Sequence, residues 1–153
     1  ISECRQAGLG WVTVLKKRAN YRKAFACFGA EKVARYGARE VKLLLNDPGI
    51  VRNRLKIAAT IQNARSLLAL QETKSFDDYL WQFVGGKPKQ NRWRKITQVP
   101  AHTVESDALS RDLKERGFKF VGTTICYALM QATGMVNDHL VTCPRYAEVG
   151  GLS

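Results

Sequence analysis

The chain has 153 residues, 45% of them hydrophobic, with 25 Lys and Arg against 13 Asp and Glu and a net charge of +12. This length and apolar fraction fit one globular domain, or two helical lobes, and exclude a disordered chain. No apolar run approaches the ~20 residues of a membrane-spanning helix. The basic excess points towards a polyanion, because binding phosphates releases their counterions. Charge alone leaves three possibilities open: a nucleic-acid partner, an anionic membrane surface, or a basic protein whose charge has no partner. The four cysteines, Cys4, Cys27, Cys126 and Cys143, are scattered and make no disulfide framework, so a cytoplasmic protein is expected. The start, Ile-Ser-Glu-Cys-Arg, has no signal-peptide pattern and no initiator Met. The chain is therefore expected to begin inside a longer gene product.

In chain order, Leu9, Trp11, Val12 and Leu15 recur at helical spacing before the basic cluster Lys16-Lys17-Arg18. Asn20 is placed to cap a helix over residues 21–28, with Gly29 after it. A short helix is expected over 31–36, stopped by Gly37, and another over 38–46, broken by Asp47-Pro48-Gly49. Residues 52–70 repeat the helical period through Leu55, Ile57, Ala58, Ile61, Ala64, Leu67 and Leu68. Ser75 suits a cap for 76–84, and Gly85-Gly86-Lys87-Pro88 reads as a loop. Residues 89–103 read as irregular and basic, with Arg92, Arg94 and Lys95 around Trp93. Ser106 suits a cap for a helix over 107–116 that ends at Gly117. Residues 123–133 are nearly all apolar or small and predict a buried helix, closed by Gly134. The fold class is all-α, a compact helical bundle in one domain over 1–153.

Residues 43–57 carry the most informative local pattern. A helix ends, a tight Pro48-Gly49 turn follows with the aliphatic Ile50, and a second helix begins at once. This is a helix-hairpin-helix layout. Gly49 permits close backbone approach, and Ile50 can plug the angle between the helices. Amides at the start of the second helix are unpaired by the helix and can hold a DNA phosphate without reading sequence. Arg52, Arg54 and Lys56 add positive charge there. Val51 stands where many such hairpins carry a second glycine.

The opening segment supplies a second cluster. Glu3 and Gln6 are neighbours on a helix, and Trp11 lies about two turns from Glu3. A carboxylate beside an indole suits a cationic aromatic ligand, through hydrogen bonding on one side and cation–π attraction on the other.

Taken together, these segments resemble the bacterial DNA-3-methyladenine glycosylase I family. The resemblance rests on Glu3, Gln6-Ala7-Gly8-Leu9-Gly10-Trp11, Val14 to Arg18 with Asn20-Tyr21-Arg22, and Gly49-Ile50-Val51-Arg52 leading to Asn63-Ala64. Its most specific part is Arg116-Gly117-Phe118-Lys119-Phe120-Val121-Gly122-Thr123-Thr124-Ile125-Cys126-Tyr127, continuing to Asn137-Asp138-His139. The resemblance implies a helix-hairpin-helix DNA glycosylase fold. It implies a monofunctional repair enzyme that hydrolyses the N-glycosidic bond of 3-methyladenine in double-stranded alkylated DNA and leaves an abasic site. Glu3 would hydrogen-bond the methylated base and serve as the catalytic residue, with Trp11 as part of its stacking wall. Gln6, Gly8 and Leu9 would lie at the lesion, and Gly49, Ile50, Val51, Arg52, Arg54 and Lys56 would contact the DNA backbone. Methylation at N3 makes the base formally cationic, so it departs neutral and needs no strong acid.

The resemblance also implies a structural zinc bound by a Cys and a His near the family's N-terminus and by His139 and Cys143. Only the last two are visible here, so the site is expected to be incomplete in this chain, which lacks the family's N-terminal segment and its stacking aromatic residues. Cys4 falls inside the pocket segment and does not replace the absent Cys. A monomer is expected. The alternative is a non-catalytic helix-hairpin-helix DNA-binding module, or an inactive fragment of the enzyme.

Overall fold

Among the described residues, those spaced for helices form them, and the breaks fall largely at glycine, proline and capping side chains; the helical spacing of Leu9, Trp11, Val12 and Leu15 lies outside the described residues. The computed structural model describes residues 17–150. Contacts divide the chain into two compact units, Ile1–Thr73 with Leu113–Val121, and Lys74–Asp112 with Gly122–Ser153.

In the first unit, α1 spans Arg18–Ala24, α2 Ala30–Ala34, α3 Ala38–Asn46 and α4 Arg54–Gln71. α1 differs from the expected helix over 21–28. It begins earlier, with Asn20 inside it, and stops at Ala24 because Ala26, Cys27 and Phe28 take φ values of 48°, 56° and 62°. Such left-handed residues cost roughly 1–2 kcal/mol each. The reversal keeps Phe25 fully buried, with its ring stacked on both Phe28 and Tyr36 at centroid distances of 6.4 Å. α3 matches its expected span, and the Glu40 carboxylate accepts the amide hydrogen of Gly37 at 2.8 Å to close its first turn. This bond holds the Glu40 carboxyl below its ordinary range. Tyr21, Phe25, Val33, Leu44, Ile50, Ile57, Ile61 and Ala64 make the core, to which α1, α2, α3, the hairpin and α4 all contribute.

In the second unit, α5 spans Phe76–Trp81 and continues as a 3₁₀ turn over Gln82–Val84. Ser75 caps it as expected, its hydroxyl accepting the Asp78 amide at 3.0 Å. α6 spans Val104–Glu115. Its first turn starts three residues earlier than expected, because Thr103 is the residue that closes it. The Thr103 amide donates to the Ser106 hydroxyl at 2.8 Å, and Asp107 donates to the Thr103 carbonyl at 2.9 Å. α7 spans Thr123–Ala132 and buries one face, through Cys126, Tyr127 and Met130, rather than its whole surface. The basic stretch expected to be irregular contains a short strand, β1 (Lys89–Gln90), paired in parallel with β2 (Val136–Asn137). Two residues per strand are too few for an alternation to show in the sequence. α8 spans Pro144–Gly150.

The end of α6 lies in the first unit and closes as expected on Gly117, whose φ is 84°. Gly117 donates to the Lys114 carbonyl and Phe118 to the Leu113 carbonyl, both at 3.0 Å. This is a Schellman closure, with buried Leu113 and Phe118 as its apolar pair.

Candidate nucleic-acid interface

The hairpin is built from residues 47–53 between α3 and α4. Asp47 ends α3, and its carboxylate accepts the amide hydrogen of Gly49 at 2.7 Å. α1 and Lys17, the residue before it, then hold the turn from one side at three points. Lys17 donates through Nζ to the Pro48 carbonyl at 3.0 Å, and Asn20 through Nδ2 to the Gly49 carbonyl at 3.1 Å. The Val51 amide donates to the Tyr21 hydroxyl at 3.0 Å. Gly49 is required by this close approach, since a Cβ there would sit 3.1 Å from the Asn20 side chain and 2.9 Å from the Asp47 carboxylate. Neither Asn20 nor Tyr21 was legible as a hairpin support. Both lie some 30 residues away in sequence, and Asn20 resembled a helix cap.

Ile50 is 3% exposed and packs in the core. It plugs the hairpin as its sequence position suggested: its side chain does not face outwards, and its amide donates to the Asp47 carbonyl at 3.4 Å. The amides of Gly49 and Val51 are likewise satisfied within the protein. The free donors lie further on. α4 starts at Arg54 rather than at Arg52, because the Asn53 side chain caps it by accepting the Lys56 amide at 3.0 Å. Among the described residues, the amides of Arg52, Arg54 and Leu55 have no acceptor. The side chains of Arg52 and Arg54 are exposed around them. An exposed helix N-terminus flanked by two guanidinium groups favours an anion through both its dipole and its donors.

Along α4 from that end runs an open groove of about 710 Å³, lined mainly by Leu55, Ala58, Gln62, Val41, Tyr36 and Phe120. Leu55 is 71% exposed at the hairpin end of it. Lys56 places Nζ 5.8 Å from the centroid of the Phe120 ring. Asn63 fixes that wall: its carboxamide donates to the Lys119 carbonyl at 2.9 Å and accepts the Lys119 amide at 2.7 Å. Phe120 follows with φ 56°, a left-handed residue held by this reciprocal clamp.

In the second unit, one carboxylate gathers four donors. Asp138 Oδ1 accepts from Asn91 Nδ2 and Trp93 Nε1, both at 2.7 Å. Its Oδ2 accepts from the Tyr127 hydroxyl at 2.6 Å and from Gln131 Nε2 at 2.8 Å. Burial by itself pushes this carboxyl up, but the four hydrogen bonds outweigh it and hold the group below its ordinary range. The same burial and the neighbouring carboxylate push the Tyr127 phenol up. Beside this hub, His139 Nδ1 lies 3.8 Å from Cys143 Sγ. Two zinc ligands at ordinary bond lengths and tetrahedral angle stand about 3.6 Å apart, so the pair fits one metal. Among the described residues no third ligand joins them.

Glu3, Gln6, Gly8, Leu9 and Trp11, the expected base pocket, lie outside the described residues.

The methyladenine glycosylase family model matches residues 1–146, nearly the whole chain. The chain belongs to the methyladenine glycosylase family. Its relatives in that family include DNA-3-methyladenine glycosylase 1 of Escherichia coli (strain K12), 50% identical over 145 residues that cover 94% of this chain and 78% of that protein. DNA-3-methyladenine glycosylase of Haemophilus influenzae is 45% identical over 143 residues, covering 93% of this chain and 77% of that protein. Structures agree. A crystal structure of 3-methyladenine DNA glycosylase I is similar at a TM-score of 0.89 with 50% identity, over 94% of this chain and 79% of that one. The Staphylococcus aureus enzyme, solved to explain 3-methyladenine recognition, is similar at a TM-score of 0.88 with 37% identity, over 94% of this chain and 77% of that one. The helical fold of this methyladenine glycosylase is therefore the family's fold.

Proposed function

We infer that the chain is a DNA repair glycosylase that hydrolyses the N-glycosidic bond of 3-methyladenine in alkylated DNA. The family match over residues 1–146 carries this reading. The hairpin supports it independently, because its free amides and arginines suit a phosphate backbone read without sequence. Glu3 is assigned to hydrogen-bond the cationic base and Trp11 to stack on it, with Gln6, Gly8 and Leu9 at the lesion. Extruding a base costs a few kcal/mol, least for a damaged one. A base that leaves neutral requires mainly extrusion, stabilisation of the sugar cation and water.

His139 and Cys143 are proposed as two ligands of a structural zinc in the family's complete site. Their separation and their nitrogen and thiolate donors suit zinc. When bound, the metal would tie down the loop after β2 and take no part in glycosidic cleavage.

The test is release of free 3-methyladenine from methylated duplex DNA by the chain and by Glu3→Gln. Release by the chain and its loss in the variant are expected. Unchanged release by Glu3→Gln would remove the role assigned to Glu3. Salt-sensitive DNA binding with no release at all would favour the non-catalytic module instead.

A further inference from the structure

Residues 87–95 of the second unit hold five cations, Lys87, Lys89, Arg92, Arg94 and Lys95. Only Lys89 has an acidic partner among the described residues, Glu105. Arg92, Arg94 and Lys95 are exposed.

Their backbone is held more firmly than that of an ordinary surface loop. Asn91 and Trp93 anchor their side chains on Asp138, and the Trp93 carbonyl accepts the Val141 amide at 2.9 Å. The Asn91 amide donates to the Asn137 carbonyl at 3.3 Å, extending the β1–β2 ladder by one bond. Beyond Trp93, the amides of Arg94 and Lys95 both donate to Gln98 Oε1, at 2.8 and 2.9 Å, and the Gln98 amide returns to the Lys95 carbonyl at 3.0 Å. Asn91 and Trp93 thus take the protein-facing positions, while Arg92 and Arg94, alternating with them, project to solvent.

We propose that Arg92, Arg94 and Lys95 form a second DNA-backbone contact, carried by the second unit and separate from the hairpin. Three unpaired cations on a braced segment repel one another and lose little further freedom on meeting phosphates, so they favour a closely charged polyanion. Trp93 is not offered as a stacking residue, because its indole N–H is committed to Asp138. The choice of DNA as the polyanion rests on the glycosylase reading.

The experiment is binding of a short undamaged DNA duplex to the chain over a series of salt concentrations. Each lost phosphate contact makes the log–log slope shallower by about 0.9. Arg92→Ala combined with Arg94→Ala and Lys95→Ala is expected to flatten it by about 2–3. Exchanging the charges in kind, with Arg92→Lys, Arg94→Lys and Lys95→Arg, is expected to leave the slope in place. Single alanine variants, each worth about 0.9, keep the test independent of how the triple variant folds. Equal slope and affinity for the triple alanine variant and the parent chain would overturn the proposal. Failure of the parent to release 3-methyladenine would refute the glycosylase reading by itself and leave this comparison standing.

Discussion

The amide hydrogen of Val51 is bonded to the hydroxyl of Tyr21 at 3.0 Å, so the inner side of the hairpin is closed by a residue of α1. Together with Lys17 on Pro48 and Asn20 on Gly49, this makes α1 the backing of the turn. The inner amides are satisfied within the protein, and those at the start of α4 are left for a ligand.

Tyr21→Phe keeps the buried ring and removes the acceptor. The Val51 amide is half-buried, and leaving such a donor unpaired costs about 1–3 kcal/mol. A lower urea midpoint with an unchanged m-value is expected. A midpoint equal to that of the parent would show that the hydroxyl does not support the turn.

Gly49→Ala forces a Cβ against Asn20 and Asp47. Weaker binding to undamaged duplex DNA is expected, since the turn must shift away from α1. Asn20→Ala removes one of the two obstacles, so the pair of substitutions should be less than additive in a double-mutant cycle. An additive cycle would argue that Gly49 matters for some other reason.

Arg52→Ala and Arg54→Ala should each flatten the salt dependence of DNA binding by about 0.9 in log–log slope, with little change in stability. Asn53→Ala should behave oppositely. It removes the cap of α4 at a cost of about 1 kcal/mol in thermal or urea unfolding, and it removes no charge.

Asp138→Asn keeps the shape of the hub but reduces its acceptors to one oxygen. Four donors converge on the carboxylate, so at least one is left unpaired, at about 1–3 kcal/mol. Because Asp138 is only half-buried, a loss near the lower end is expected in a thermal melt. A melt identical to that of the parent would mean that water replaces the carboxylate without penalty.

Much of this protein can be read before it is folded. Helical periodicity placed α3 and most of α4, and Gly117 marked the end of α6, because these features depend on residues within one or two turns of each other. The hairpin was legible for the same reason, and so was Ile50 as its plug. The ordered motifs from Glu3 to His139 pointed to the family. Local rules failed where distant groups intervened. α1 stops short because Phe25 and Phe28 pack into the core at the cost of a left-handed turn, and β1 exists only because β2 lies beside it.

The sequence by itself determined the helical class, the family and the residue types of the hairpin, since each is written in short-range pattern or in matching motifs. The tertiary structure alone decided which hairpin amides are free. That choice depends on the Tyr21 hydroxyl, which arrives from 30 residues away to accept the Val51 amide. It likewise decided that Asp138 gathers Asn91, Trp93, Tyr127 and Gln131, a convergence of side chains from separate segments that no spacing along the chain encodes.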